Sequence, residues 1–512
     1  MIVSLLERGG DLVESADVCV IGSGAGGAVA AAELAEGGRS VVVLEQGHHW
    51  RAADFTQREE DMLPRLFEEG GMRATADGAI NVLQGRCVGG STVHNLCYCV
   101  RPPEPVLRMW REEHGLAELT PQALAPSLAR VEQGLRVKQI REDEVNEPNR
   151  LVRAGAERLG YAGFVTKHNR EGCVQSGYCI LGCSYDAKQS MLVTYVPRAA
   201  AAGARVYANA RAERIEAEGG RVRRVLGRVV GHDGTTLGSI EVKARAVVLA
   251  AGAIASPDLL LRSRLGNDHG QVGRHLHLHP AAIATGFFDR VLDAYRGIPQ
   301  SYLIDAFIDL ERDPHSGFLL MPITEFPAMA AANLPGFGRT HFEHMRGYGR
   351  SAGLLVLLHD QTSGRVTSGD SLARPAIEYT LEPRDAALIA RGLRRCAEVL
   401  FAAGARRAAI PYWPEPLVLE RGDDLAAIEQ RRPAQRDMLL NSAHPQSTCR
   451  MGADARTSVV DVWGECHGVE GLFVADMSVF PTSLGAPPQI TTAMLGDRTA
   501  HYLLESWKRL SA

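Results

Sequence analysis

The sequence predicts an α/β protein: a Rossmann-like dinucleotide-binding domain gathered from separated parts of the chain, with a β-sheet-rich domain inserted into it. Three observations carry this. Residues 18–47 form a strand–glycine turn–helix–strand unit. Strand-and-turn segments of the same kind recur at 246–256 and 471–476. The residues between, 281–440, carry β-type runs and one long amphipathic helix.

In the first unit, Val18–Ile21 is a short apolar run that reads as a buried parallel strand. Gly22, Gly24 and Gly27 follow at G-x-G-x-x-G spacing, with Gly26 beside the last. An Ala-rich helix comes next, then a second strand, Ser40–Leu44, ending at Glu45. Gly22 suits a tight turn, Gly24 a close backbone approach to a pyrophosphate, and Gly27 close helix–strand packing. The helix N-terminus presents free N–H groups and a positive dipole end to the phosphates. Glu45 lies 18 residues past Gly27, where an acid can hold a ribose hydroxyl pair. An acid there disfavours a 2′-phosphate, so FAD or NAD is expected rather than NADP.

The later elements follow in order. Val206–Ala212 reads as a short strand, and Gly220–Val242 as two or three β-rich runs with a turn at Gly231–Gly234. Ala246–Ser256 is a buried strand running into a glycine turn. The insert has β-type runs at Ala281–Phe288, Gly317–Ile323 and Leu354–Leu358, and a helix at Pro383–Ala402. Gly471–Asp476 is a strand ending in an acid, and Pro488–Leu504 a closing helix. The expected division is a main dinucleotide-binding part at 1–280, a substrate domain at 281–440 and a return to the first domain at 441–512.

Composition narrows the function. The chain has 512 residues, of which 45% are apolar, and a formal net charge of −4. There is no basic field for nucleic acid or an anionic membrane. No apolar run approaches the ~20 residues of a membrane span. The opening, MIVSLLERGGDLVESAD, is too short and too acidic for a secretory signal and has no twin-arginine pair, which points to the cytoplasm. The ten cysteines are too few for a disulfide framework in a chain this long.

Two further motifs bear on chemistry. In Gly85–Asn95, GRCVGGSTVHN, the backbone at Gly85, Gly89, Gly90 and Ser91 can approach pyrophosphate or ring atoms closely, and Asn95 follows. Ser442–Gly452, SAHPQSTCRMG, carries His444 shortly before the last strand and helix. With Glu45 and GSGAGG, these motifs and VEGLFVADMSVFPTSLG stand in the order and spacing of the glucose–methanol–choline (GMC) flavin oxidoreductases, and the sequence resembles that family over nearly its whole length. CxxxxxCxxxCxxxxKQS at 173–190, FPAMAAANLPGFG at 326–338 and TSGRV at 362–366 resemble its long-chain alcohol oxidase branch.

The resemblance implies the GMC fold, with non-covalent FAD along the Rossmann half and a β-rich substrate domain over the flavin ring. It implies oxidation of an alcohol, with His444 taking the hydroxyl proton while hydride passes to the flavin. The apolar character of the branch points to a hydrophobic primary or secondary alcohol. Ala212, Asp476 and Pro488 join the glycine loops and Glu45 as expected cofactor contacts. The helix beginning at Pro488 would direct its positive end at a reduced flavin.

The family's second catalytic position, His or Asn, is Pro487 here, which has no side-chain donor or acceptor. Asn95, Asn441 and Gln489 are the candidate substitutes. The alternative is a GMC-fold lyase, or another flavoenzyme without net redox change. A third reading is an electron-transfer subunit, against which the long insert argues. Cys173, Cys179 and Cys183 admit an iron–sulfur cluster, buried structural thiols or zinc. With a cluster, electrons would pass to a protein or quinone acceptor. His275, His277 and His279 alternate as if to face one side, yet read as an ordinary strand into the substrate domain rather than a metal comb.

Overall fold

Val18–Ile21 is the end of a longer strand, Leu12–Ile21, in a computed structural model that describes residues 1–369 and 374–511. The parallel strand Val41–Glu45 flanks it on one side, with Val18 opposite Val41 and Ile21 opposite Leu44. On the other side Thr236–Leu249 runs parallel to it, from Ile240 opposite Leu12 to Leu249 opposite Ile21. The sheet continues outward through Arg205–Ala208 to Ile2–Ser4 at one edge, and through Arg221–Val230 to Ala210–Glu218 at the other. Thr236–Leu249 changes character along its length. Its first part pairs antiparallel with Arg221–Val230 and alternates in burial. Its last residues are buried on both faces and pair parallel with Leu472–Val474.

The expected strand Val206–Ala212 is two strands. Asn209 takes a left-handed φ of 62° and divides them, a conformation asparagine tolerates better than most residues. Arg205–Ala208 pairs with Val41–Glu45, and Ala210–Glu218 pairs with Arg221–Val230. The helix after the glycine turn spans Gly27–Glu36 and packs on the C-terminal helix, Gln489–Glu505.

A second sheet runs in the order Leu417–Glu420, Arg407–Ile410, Ala281–Phe287, Ser351–His359, Gly317–Ile323, Tyr302–Ile304, Gly163–Val165. Leu440–Ser442 joins it at Ala281 and also pairs with Ile80–Val82. This sheet therefore draws strands from before residue 281 as well as after it. The helix Pro383–Ala402 covers one face, where Gly392 lets Val356 approach closely. The period of two then decides which side chains go where. Ala282, Ala284, Leu320, Leu354, Val356 and Leu358 pack into the core under the helix. Ala281, Ile283, Met321, Leu355 and Leu357 face a cavity between the two sheets. No described helix is long and apolar enough to cross a membrane.

Candidate active site

The cavity, about 970 Å³, runs from the glycine turn to the second sheet. At its first end, Gly22 takes φ 97°, and a Cβ there would stand 2.3 Å from the Ala250 carbonyl oxygen, so only glycine makes this turn. A Cβ on Gly26 would lie 1.7 Å from the Ala475 carbonyl oxygen. Gly24 lines the cavity, and a Cβ there would meet nothing within 4 Å. Its bare backbone, at the start of the Gly27–Glu36 helix, forms a cradle for a pyrophosphate. Glu45 is buried, and burial raises its carboxyl above the usual range. It accepts from the Ser23 N–H (3.0 Å) and hydroxyl (2.7 Å) on one oxygen and from the Gly47 N–H (2.8 Å) on the other. A carboxylate has about four acceptor sites, so capacity for a ribose hydroxyl is left. These residues fit the adenosine end of FAD.

Gly85, Gly90, Ser91, Asn95, Ala212, Asp476 and Pro488 all line the cavity. Asp476 holds the Gly252 N–H and the Ser256 hydroxyl, fixing one strand end against a helix start. Two expected cofactor contacts do not line it. Gly27 lies beneath the turn, where a Cβ would stand 2.1 Å from the Gly22 carbonyl oxygen. Gly89 donates its N–H to the Ser23 hydroxyl (3.0 Å) and so ties the second glycine loop to the first.

At the other end, His444 and Pro487 line the cavity with His279. The His279 and His444 Nδ1 atoms lie 3.3 Å apart, and the Gly485 N–H donates to His279 Nε2 (3.2 Å). A backbone N–H only donates, so His279 carries its own proton on Nδ1 and gives it to His444 Nδ1. His444 is then left with its proton on Nε2. Burial pushes His444 down to about 4, and burial with the neighbouring His444 pushes His279 well below its ordinary value, so both rings are neutral near pH 7. Asp360 positions this pair. Its carboxylate accepts from the Leu278 and His279 N–H groups, the Ser483 hydroxyl and the Tyr379 hydroxyl.

Asn95 and Gln489 both line the cavity, but each is engaged. The Asn95 amide donates to the Gln489 carbonyl oxygen, and Gln489 reaches Cys99 and Asn169, both at 3.4 Å. The three histidines of HLHLH do not face one side. His275 and His279 take φ of 64° and 48°, which breaks the alternation. His275 meets Gln271, His277 lies 3.6 Å from Asp360, and His279 meets His444.

The cysteine expectation is also corrected. The Arg170 guanidinium fills the space between two of the sulfurs, 3.6 Å from Cys173 and 3.3 Å from Cys179. Among the described residues, the only three metal-binding side chains within 4.8 Å of one another are Glu33, Asp497 and His501. Cys173, Cys179 and Cys183 form no single-ion site among the described residues, and an iron–sulfur cluster is not supported.

Sequence reasoning missed three residues of this site. His279 was read only as part of a strand. Asp360 carries no local signal. Glu325 lines the cavity just before the FPAMAAANLPGFG segment, which drew attention to itself but not to its neighbour.

Comparison with known proteins agrees with this geometry. A Rossmann-like NAD(P)-binding domain model matches residues 20–74, and the two GMC oxidoreductase domain models match 63–281 and 360–496. A GMC-type oxidoreductase of Mycobacterium tuberculosis is 36% identical over 94% of this chain and 74% of its own. The chain belongs to the GMC oxidoreductase family. A long-chain-alcohol oxidase of Arabidopsis thaliana is 30% identical, over 93% of this chain and 65% of its own. Among solved structures, pyridoxine 4-oxidase from Mesorbium loti superposes with a TM-score of 0.69 at 20% identity, covering 95% of this chain and 98% of its own. That likeness concerns the fold. The family membership makes this an oxidoreductase whose expected cofactor is FAD, and the residues of the cavity fit that group.

Proposed function

We propose that this GMC oxidoreductase binds FAD without a covalent link and oxidises the carbinol carbon of an alcohol to an aldehyde or ketone. One observation carries the reading: a single cavity joins the glycine cradle and Glu45 at one end to His444, backed by His279, at the other. FAD supplies the hydride acceptor when bound. The chain supplies position and proton handling. His444 is the residue we assign to the hydroxyl proton. In the arrangement described it offers Nε2–H, which suits gripping the substrate oxygen. Taking a proton at Nε2 requires the Gly485–His279–His444 chain to reverse, with His279 releasing Gly485. Negative charge developing beside His444 raises its affinity for a proton from the low value that burial imposes.

Pro487 leaves the substrate oxygen without its second family partner. Of the three candidate substitutes, all lining the cavity, Asn95 and Gln489 have amides that already bond each other, and Asn441 gives its amide nitrogen to Asn333. The Ile283, Met321, Leu355 and Leu357 wall favours an apolar substrate body.

The deciding experiment is an anaerobic absorbance titration of the flavin-loaded protein with aliphatic, aromatic and sterol alcohols. Bleaching of the flavin band is the expected result. A band that no alcohol bleaches, yet dithionite does, would move the assignment to the lyase-type reading that Pro487 favours. Reoxidation in air against reoxidation by a quinone then separates an oxidase from a dehydrogenase.

A further inference from the structure

One polar group interrupts the apolar wall. The Glu325 side chain follows the strand Gly317–Ile323 and faces the cavity. One of its oxygens accepts from the Asn333 amide nitrogen (2.5 Å), and the Asn333 carbonyl oxygen accepts from the Asn441 amide nitrogen (2.9 Å). The direction of this chain is set at its Glu325 end. A carboxylate only accepts, so Asn333 turns its NH₂ to Glu325 and its carbonyl to Asn441, and Asn441 turns its NH₂ to Asn333. The second Glu325 oxygen and the Asn441 carbonyl oxygen then have no donor among the described residues. No Lys, Arg or His there counters the carboxylate either.

The remaining titratable groups packed on it are Glu59 and Tyr348. Glu59 accepts from the Ala328 and Met329 N–H groups, and the Tyr348 hydroxyl donates to the Glu325 backbone oxygen. Burial, against the Asn333 hydrogen bond and with the Glu59 charge, pushes Glu325 up to about 7.

We propose that Glu325 and Asn441 form a subsite for a protonated amine that the substrate carries at a distance from its reacting hydroxyl. This rests on the alcohol-oxidising reading above and narrows it to amino alcohols. A hydroxyl has one hydrogen, so it would satisfy only one of the two acceptors and leave the carboxylate's charge uncompensated. An ammonium supplies donors and charge together, and each buried ion stabilises the other. Binding of the amine fixes Glu325 in its ionised form. Affinity for the amine therefore rises with pH through about 7 and levels off above it, while the amine itself, near the ordinary lysine value, stays protonated.

The test uses the flavin-loaded enzyme with octanol and its ω-amino derivative. The amino alcohol should be preferred by at least about tenfold in kcat/KM near neutral pH and above. The preference should shrink at about pH 6 and be lost in Glu325→Gln. No preference in the native enzyme, or one that survives Glu325→Gln, would overturn the subsite. Octylammonium, which has no hydroxyl, provides a second readout through perturbation of the flavin band. It should bind more tightly at about pH 8 than at about pH 6. Absent or pH-independent binding refutes the subsite even if the variant fails to fold. Because octylammonium cannot be oxidised, this result is independent of whether octanol bleaches the flavin.

Discussion

The two ends of the cavity are built on different scales. At the dinucleotide end, Glu45 takes its hydrogen bonds from Ser23, 22 residues away, and from Gly47, two residues away. At the reaction end, His279 and His444 meet across 165 residues, and Asp360 reaches Leu278 across 82 and Ser483 across 123. The first end takes the Glu45 hydrogen bonds from one supersecondary unit, and its glycine turn packs on the Ala250 and Ala475 backbone. The second exists only when both sheets and the C-terminal segment are docked. Damage to one should therefore be separable from damage to the other.

The largest expected effect separates them directly. His444→Ala should slow anaerobic flavin reduction by about a hundred- to ten-thousand-fold while FAD stays bound. Reduction within about tenfold of native would remove His444 from the chemistry. The converse substitution is Gly26→Ala, whose methyl would overlap the Ala475 carbonyl oxygen. It should cost about 1–3 kcal/mol in thermal unfolding and lower the ratio of flavin to protein after purification.

Acid should also strike the reaction end first. His359 and His444 are held near 4 by burial, well below the unfolded value of about 6.5. Their pKa values are depressed on folding, so the unfolded chain binds protons that the folded one refuses. Stability is full above about pH 6.5 and declines as pH falls toward 4. The midpoint of urea unfolding measured across this window should fall, and His359→Asn should flatten the slope. A slope unchanged by that substitution would place the acid sensitivity elsewhere. The smallest effect is expected from Asn95→Ala. Asn95 already bonds Gln489, so flavin reduction should change by less than about tenfold. A larger loss would restore it as the substitute for Pro487.

The same difference of scale explains what the sequence disclosed. The strand, glycine turn, helix, strand and acid of residues 18–47 follow one another, and each has a local cause. Their positions were legible to within a few residues, as were Gly317–Ile323 and Pro383–Ala402. His444 was legible as a motif. Its partner His279 was not, because nothing near residue 279 records a contact with residue 444. The strand break at Asn209 was hidden because β-type residues stand on both sides of it. The cysteine spacing suggested a cluster because spacing cannot reveal that Arg170, three residues before Cys173, turns its guanidinium between the sulfurs. Gly89 was placed on the cofactor because a motif does not distinguish residues that touch the ligand from those that shape the loop, whereas Gly27 packs closely beneath the turn as its spacing predicts.

The pairing of Leu472–Val474 with the end of Thr236–Leu249 has a consequence for biosynthesis. The ribosome must add more than two hundred residues between these partners, which takes on the order of 10–45 s at the usual rate of elongation. Until then the central strand lacks its neighbour, and the glycine turn lacks the Ala475 backbone against which Gly26 packs. The N-terminal half can collapse early, but the seat for the dinucleotide closes only after residues 471–476 have been made. Flavin capture is thus a late event, and a nascent chain stalled within the inserted domain would emerge colourless.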